Sequence, residues 1–160
     1  MVFKVFISHS INDLDIVNSL YSVLRQSGMD VYAAVFSPEP GKHVSKKILE
    51  GMKSSDCVLL LLTHDSVLSQ WVQNEIGMAL AYNKIIIPIV EKNVKIPNIL
   101  EGLEYIKFDS SKPFKTIDYI REYFLHLKTS KEKRVQGLGL AALFFGLILV
   151  ASSSEKNSKS

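Results

Sequence analysis

Two side chains in the stretch Ser69-Gln-Trp71-Val-Gln-Asn-Glu75-Ile-Gly-Met-Ala-Leu80 have the chemistry of a site: an indole and a carboxylate, four residues apart. In a helix that spacing stacks them on one face, one turn apart. The core stripe of the same helix is assigned to Val67, Leu68, Val72, Ile76, Ala79 and Leu80, which leaves Glu75 beside the apolar face or at its edge. An acid at that place calls for a reason other than packing. The competing reading is a solvated glutamate beside a half-buried tryptophan, the usual state of helical carboxylates.

The elements that must position this pair alternate along the chain. Lys4-Val-Phe-Ile-Ser8 reads as a buried strand, followed by a helix capped by Asn12 or Asp13, with the stripe Ile16, Val17, Leu20, Val23, Leu24 and an end at Gly28. Asp30-Val-Tyr-Ala-Ala34 is a second strand. Phe36-Ser-Pro-Glu-Pro-Gly41 holds two prolines and a glycine in six residues and is expected to be a loop. A helix over 45–53 follows, then an almost wholly apolar strand over 56–62, whose burial on both faces implies a parallel sheet. After the helix of Trp71 and Glu75 come the strand Ile85-Ile-Ile-Pro-Ile-Val90, a short strand Tyr105-Ile-Lys-Phe108, and a helix from about Pro113 to Leu127. The expectation is an α/β fold: a flavodoxin-like, open, parallel five-stranded sheet with helices on both faces and functional groups at the carboxyl ends of the strands, plus a C-terminal hydrophobic helix.

Composition narrows the classes. The chain of 160 residues is 47% hydrophobic and 22% charged, enough for one core of ordinary domain size. Its formal charge of +3 is scattered, and no Lys/Arg stripe with interleaved aromatics precedes residue 125, so no nucleic-acid partner is expected. Cys57 is the only cysteine, which excludes an intramolecular disulfide and suggests a reducing compartment. The histidines His9, His43, His64 and His126 lack partners at ligand spacing, so no metal site is expected. No secretory signal is read at the N-terminus.

The far end differs. Gly137 to Ala151 has no polar side chain, and 135–153 approaches the ~20 residues that span a bilayer. Lys128, Lys131, Lys133 and Arg134 precede it. The expected organisation is a domain over 1–127, a basic linker over 128–134, a membrane anchor over 135–153 and a polar tail over 154–160. By the positive-inside rule the location is then a membrane, single-pass, with the N-terminal domain cytoplasmic.

Several site types fail on the residues. Ser8-His-Ser-Ile-Asn-Asp13 has no glycine, which excludes a dinucleotide fingerprint and a phosphate loop after the first strand. A phosphorylated receiver fails because the first and third strands run into Ser8-His-Ser10 and Thr63-His-Asp65 instead of an acidic pair. Three blocks instead carry a resemblance to the Toll/interleukin-1 receptor (TIR) domain family, in its NAD+-cleaving prokaryotic-type branch. They are Val5-Phe-Ile-Ser-His-Ser10 with Asp13, then Pro40-Gly41 with Ile48 and Ser55-Asp56, then Ser69 to Leu80 with Trp71 and Glu75.

The resemblance implies one of two roles: an adaptor that binds other TIR domains, or an enzyme that cleaves NAD+ between nicotinamide and ribose to give ADP-ribose or a cyclised product. It maps the active-site glutamate onto Glu75. One carboxylate is enough for that chemistry, because nicotinamide leaves NAD+ as a neutral molecule and needs no proton donor, unlike the leaving group of a glycoside. The implied site has Glu75 on the ribose, Trp71 as a wall of the nicotinamide pocket and Tyr32 as an aromatic face opposite. Ser8, His9 and Ser10 would meet ribose or phosphate, although Ser10 also fits a helix cap, His9 a loop position and Tyr32 a core strand. Lys42, His43 or backbone N–H groups are left for the phosphate charge. Pro40 and Gly41 form the loop implied to contact a neighbouring TIR domain in a homo-oligomer, NAD+ is a substrate, and no cofactor is implied.

Overall fold

The computed structural model describes the backbone of residues 2–33 and 44–156 and the side chains of 2–33 and 46–136. The loop expected over 36–41, and with it Pro40, Gly41, Lys42 and His43, lies outside the described residues. The chain divides into two compact units, Val2–Phe124 and a second that begins at Leu125.

The first unit holds a five-stranded sheet in the order β2-β1-β3-β4-β5, every pair parallel. Its strands are β1 (Lys4–Ser8), β2 (Asp30–Ala33), β3 (Cys57–Leu62), β4 (Ile85–Glu91) and β5 (Ile106–Phe108). The connecting helices are α1 (Leu14–Gln26), α2 (Val44–Ser54) and α3 (Gln70–Ala81), and α4 (Pro113–Lys156) follows β5. All six residues of β3 are buried, as a central parallel strand covered on both faces requires. Pro88 pairs with Leu60 on β3 one residue before β5 begins to pair at Ile89. There β4 has a strand on one side only, so a missing N–H is tolerated. Gly28, at φ +74°, closes α1, the left-handed position that glycine takes without penalty.

Alternation along β1 sends Phe6 and Ser8 to one face of the sheet and Val5 and Ile7 to the other. On the first face Phe6 joins Ile48 and Met52 of α2, Val58 of β3 and Ala79 of α3 in a buried cluster, with Trp71 packed against it. A second cluster on that side joins Leu60, Leu62, Val72, Ile76, Val90 and Leu100. The assigned stripe of α3 is corrected at two places: Leu68 is 85% exposed, because a 3-10 turn over Ser66–Leu68 precedes the helix, and Leu80 lies on its outer side.

The expectation of a single-pass membrane location, with a membrane as partner of the C-terminal helix, is overturned. Among the described residues no helix is long and apolar enough to cross a membrane. The described side chains of α4 beyond Leu125 include Lys128, Lys131, Glu132, Lys133 and Arg134, so the described part of this helix holds no apolar stretch of spanning length. The side chains of the apolar run itself, from Gly137, lie outside those described.

Tyr32 on β2 stacks on Phe6 with ring centroids 5.6 Å apart, and its ring lies over Gly51 of α2 so closely that an added Cβ would come within 2.9 Å of it. Gly51→Ala therefore trades a helix-propensity gain of about 1 kcal/mol against an overpacking cost of about 1–3 kcal/mol. Urea denaturation should show a net loss in the wild-type background and a net gain in a Tyr32→Ala background.

Candidate functional site

The carboxyl ends of β1 and β3 lie side by side where the strand order reverses, the place at which open α/β sheets bind ligands. Local hydrogen bonds set both ends. After β1, Ser10 caps the turn Ile11–Asp13: its hydroxyl accepts from Asn12 N–H at 3.1 Å and its own N–H donates to Asp13 Oδ2 at 3.2 Å. After β3, Thr63 N–H donates to Ser66 Oγ at 2.7 Å and Ser66 N–H donates to Thr63 Oγ1 at 3.0 Å. Thr63 Oγ1 also donates to Asp13 Oδ1 at 2.9 Å, which ties the two loops together. Burial pushes the Asp13 carboxyl up, opposed by the hydrogen bonds from Thr63 and Ser10.

From this frame α3 departs with Ser69 as its cap and Gln73 Nε2 donating to Val67 O at 3.0 Å. Glu75 does not sit at the edge of its buried face. It lies within that face, with Val72, Ile76 and Ala79, at 1% exposure. Ser8, the last residue of β1 and itself fully buried, donates its hydroxyl proton to Glu75 Oε2. Oε1 is buried too, and among the described residues nothing fills its lone pairs in ordinary hydrogen-bond geometry. Burial raises the Glu75 pKa to about 7, against the Ser8 hydroxyl and the Trp71 indole N–H, which both favour the anion. Near neutral pH the group is divided between acid and anion, a state suited to both proton transfer and charge stabilisation.

The other sequence candidates fall in different places. Trp71, half-buried, stands one turn before Glu75 against the Phe6 cluster, so the indole and the carboxylate do share a neighbourhood. Tyr32 is 39% exposed on the same side of the sheet, stacked on Phe6. His9 is 4% exposed, its Nδ1 3.3 Å from Ile7 O, and desolvation lowers its pKa, which favours the neutral ring. Ser10 is engaged in the cap. Lys42, Pro40 and Gly41 lie outside the described residues. The direct Ser8–Glu75 bond and the Thr63–Asp13 tie had no local signal, since their partners stand 67 and 50 residues apart.

A sequence profile described as TIR domain matches residues 5–120. The chain belongs to the TIR domain family. A probable 2′ cyclic ADP-D-ribose synthase, TcpO, of Methanobrevibacter olleyae is 28% identical over 116 residues, covering 69% of this chain and 32% of the relative. The 2′ cyclic ADP-D-ribose synthase BtTIR of Bacteroides thetaiotaomicron is 30% identical over 95 residues, covering 56% of this chain and 33% of the relative. The chain thus spans about a third of the length of these curated relatives. Among solved structures, the TIR domain of the Toll-related receptor TRR-2 of Hydra magnipapillata superposes with a TM-score of 0.63 at 16% identity, over 76% of this chain and 97% of that one. The TIR fold read from the three sequence blocks is therefore present.

The ionisation of Glu75 carries a stability consequence with a defined sign. Its folded pKa of about 7 lies above the ordinary value of 4.5, so between those pH values the unfolded chain has released a proton that the folded chain retains. Stability then falls as pH rises through this window, by up to about 3 kcal/mol, and levels off above it. Thermal melts from pH 4.5 to pH 8 should show this decline in the wild type and lose it in Glu75→Gln, which should be the more stable protein at pH 8.

Proposed function

We propose that this TIR domain, placed at 1–127 with the basic segment 128–134 after it, is an NAD+ nucleosidase that cleaves the nicotinamide–ribose bond and is activated by self-assembly. The observation that carries the reading is a buried carboxylate, Glu75, anchored by Ser8 at the carboxyl rim of the sheet and flanked by Trp71. The names of the two curated relatives support it.

The C1–nitrogen bond of the nicotinamide riboside breaks with its electron pair going to the ring nitrogen, so a pyridinium becomes a neutral leaving group. An oxocarbenium-like ribose remains. Glu75, as the anion, steadies that charge, and the low dielectric around it makes the interaction stronger than in water. Trp71 walls the nicotinamide, and Tyr32 supplies a second aromatic surface on the same layer. Water captures the ribose carbon to give ADP-ribose, or a hydroxyl of the same molecule closes a ring; the relatives' names favour the ring. In both cases the capturing oxygen loses one proton, which Glu75, with a pKa of about 7, is able to accept.

A cleft of about 360 Å³ elsewhere at the rim, between α1 and α4, is a poor receptor for a dinucleotide. Asp13, Asp15, Asp65 and Glu91 line it, and they repel a pyrophosphate. Lys42 remains assigned to that pyrophosphate, and Pro40 and Gly41 to contact with a neighbouring copy, on the sequence alone.

Incubation of clustered protein with NAD+ and chromatography of the products tests the proposal. Nicotinamide release by the wild type should fall by about 100-fold or more in Glu75→Ala. Equal release by the two removes Glu75 from the mechanism, and none from assembled wild type leaves the adaptor role. Wild-type kcat/KM should rise with pH through a midpoint near the Glu75 value of about 7, because the anion is the active form.

A further inference from the structure

Ser8 is the one buried polar side chain of β1, and it faces the layer between the sheet and α3. Two positions earlier Phe6 faces the same layer, and Leu60, the register partner of Ser8 on β3, belongs to the apolar cluster beside it. A hydroxyl in such surroundings costs free energy unless it is satisfied. It is satisfied by a carboxylate 67 residues away, which the Trp71 indole N–H also favours as the anion. A serine has a single donor proton, and here Oε2 of Glu75 takes it. Were Ser8 to turn that proton to a substrate, Oε2 would be left buried and bare.

We propose that Ser8 is a positioning residue that acts through Glu75: its hydroxyl pins Oε2 and so fixes the rotation of the carboxylate beside Trp71. The inference rests on the NAD+-cleaving reading and gives Ser8 a part in it through Glu75 alone. Pinning one oxygen removes a rotation that the reaction would otherwise have to arrest. It also favours the anion, because a donated hydrogen bond stabilises the charged form over the acid. Ser8 therefore governs both the direction of the carboxylate and the fraction of it that is active. A residue acting in this way affects turnover and its pH dependence, whereas a substrate contact shared by ground and transition states affects KM.

The test pairs a direct titration with kinetics on the full chain. Carboxyl carbon NMR across pH 5–10 reads the Glu75 midpoint in wild type, Ser8→Ala and Ser8→Thr, with Glu75→Gln identifying the resonance. Loss of the donor should raise the midpoint in Ser8→Ala by about one pH unit or more. At pH 7 the ionised fraction, and kcat with it, should fall by about five-fold or more, recovering at higher pH, while KM for NAD+ stays within about two-fold. Ser8→Thr, which keeps the hydroxyl, should return the midpoint toward that of the wild type. A Ser8→Ala midpoint that does not move overturns the role of Ser8 alone, as does a raised KM with unchanged kcat. A wild type that titrates as expected but releases no nicotinamide overturns the enzymatic reading, and the reaction role of Ser8 with it.

Discussion

A hydroxyl and a carboxylate meet in a buried layer between β1 and α3, and the surrounding structure is arranged around keeping that meeting possible. Glu75 is shielded by Val72, Ile76 and Ala79 of its own helix and by the Trp71 side of the Phe6 cluster. Such burial favours the acid form, and Ser8 opposes it. The group is held between the two states by a balance of desolvation against a short list of donors. A domain selected for stability alone would place leucine or methionine at such a position, so a carboxylate there is the mark of a constraint other than folding.

The loops on either side explain how so costly a group is held in place. Asp13 and Thr63 join the end of β1 to the end of β3, and the reciprocal bonds of Thr63 and Ser66 shape the turn from which α3 starts. Each of these side chains is small and polar, and each satisfies backbone or side-chain groups that would otherwise be buried without partners. The distance from Ser8 to Glu75 is thus determined by rigid elements and a cross-linked pair of turns, the type of support that a precisely oriented group needs.

Much of the fold was legible in the residues. The apolar run at Cys57–Leu62 announced a parallel strand, and every one of its residues is buried. The break at Gly28, the alternation of strand and helix and the three family blocks led to the observed order. What escaped was of two kinds. Leu68 and Leu80 have the hydropathy of core residues but stand on the wrong side, because a 3-10 turn rotates the helix start away from a simple 3.6-residue count. The Ser8–Glu75 and Asp13–Thr63 pairs are contacts of the tertiary fold, which periodicity does not encode. Spacing placed Glu75 and Trp71 together correctly, yet it located the carboxylate at the border of the buried face instead of within it. The apolar run after Val135 suggested a membrane span on hydropathy alone, and among the described residues no helix has the length and apolarity to make one.

The outer strand β5 has three residues, so the sheet offers little exposed backbone at that margin. A protein proposed to act in clusters faces a hazard: open strand borders invite uncontrolled zippering into fibrous deposits. At β5, three residues long, a second copy would find little backbone along which to pair.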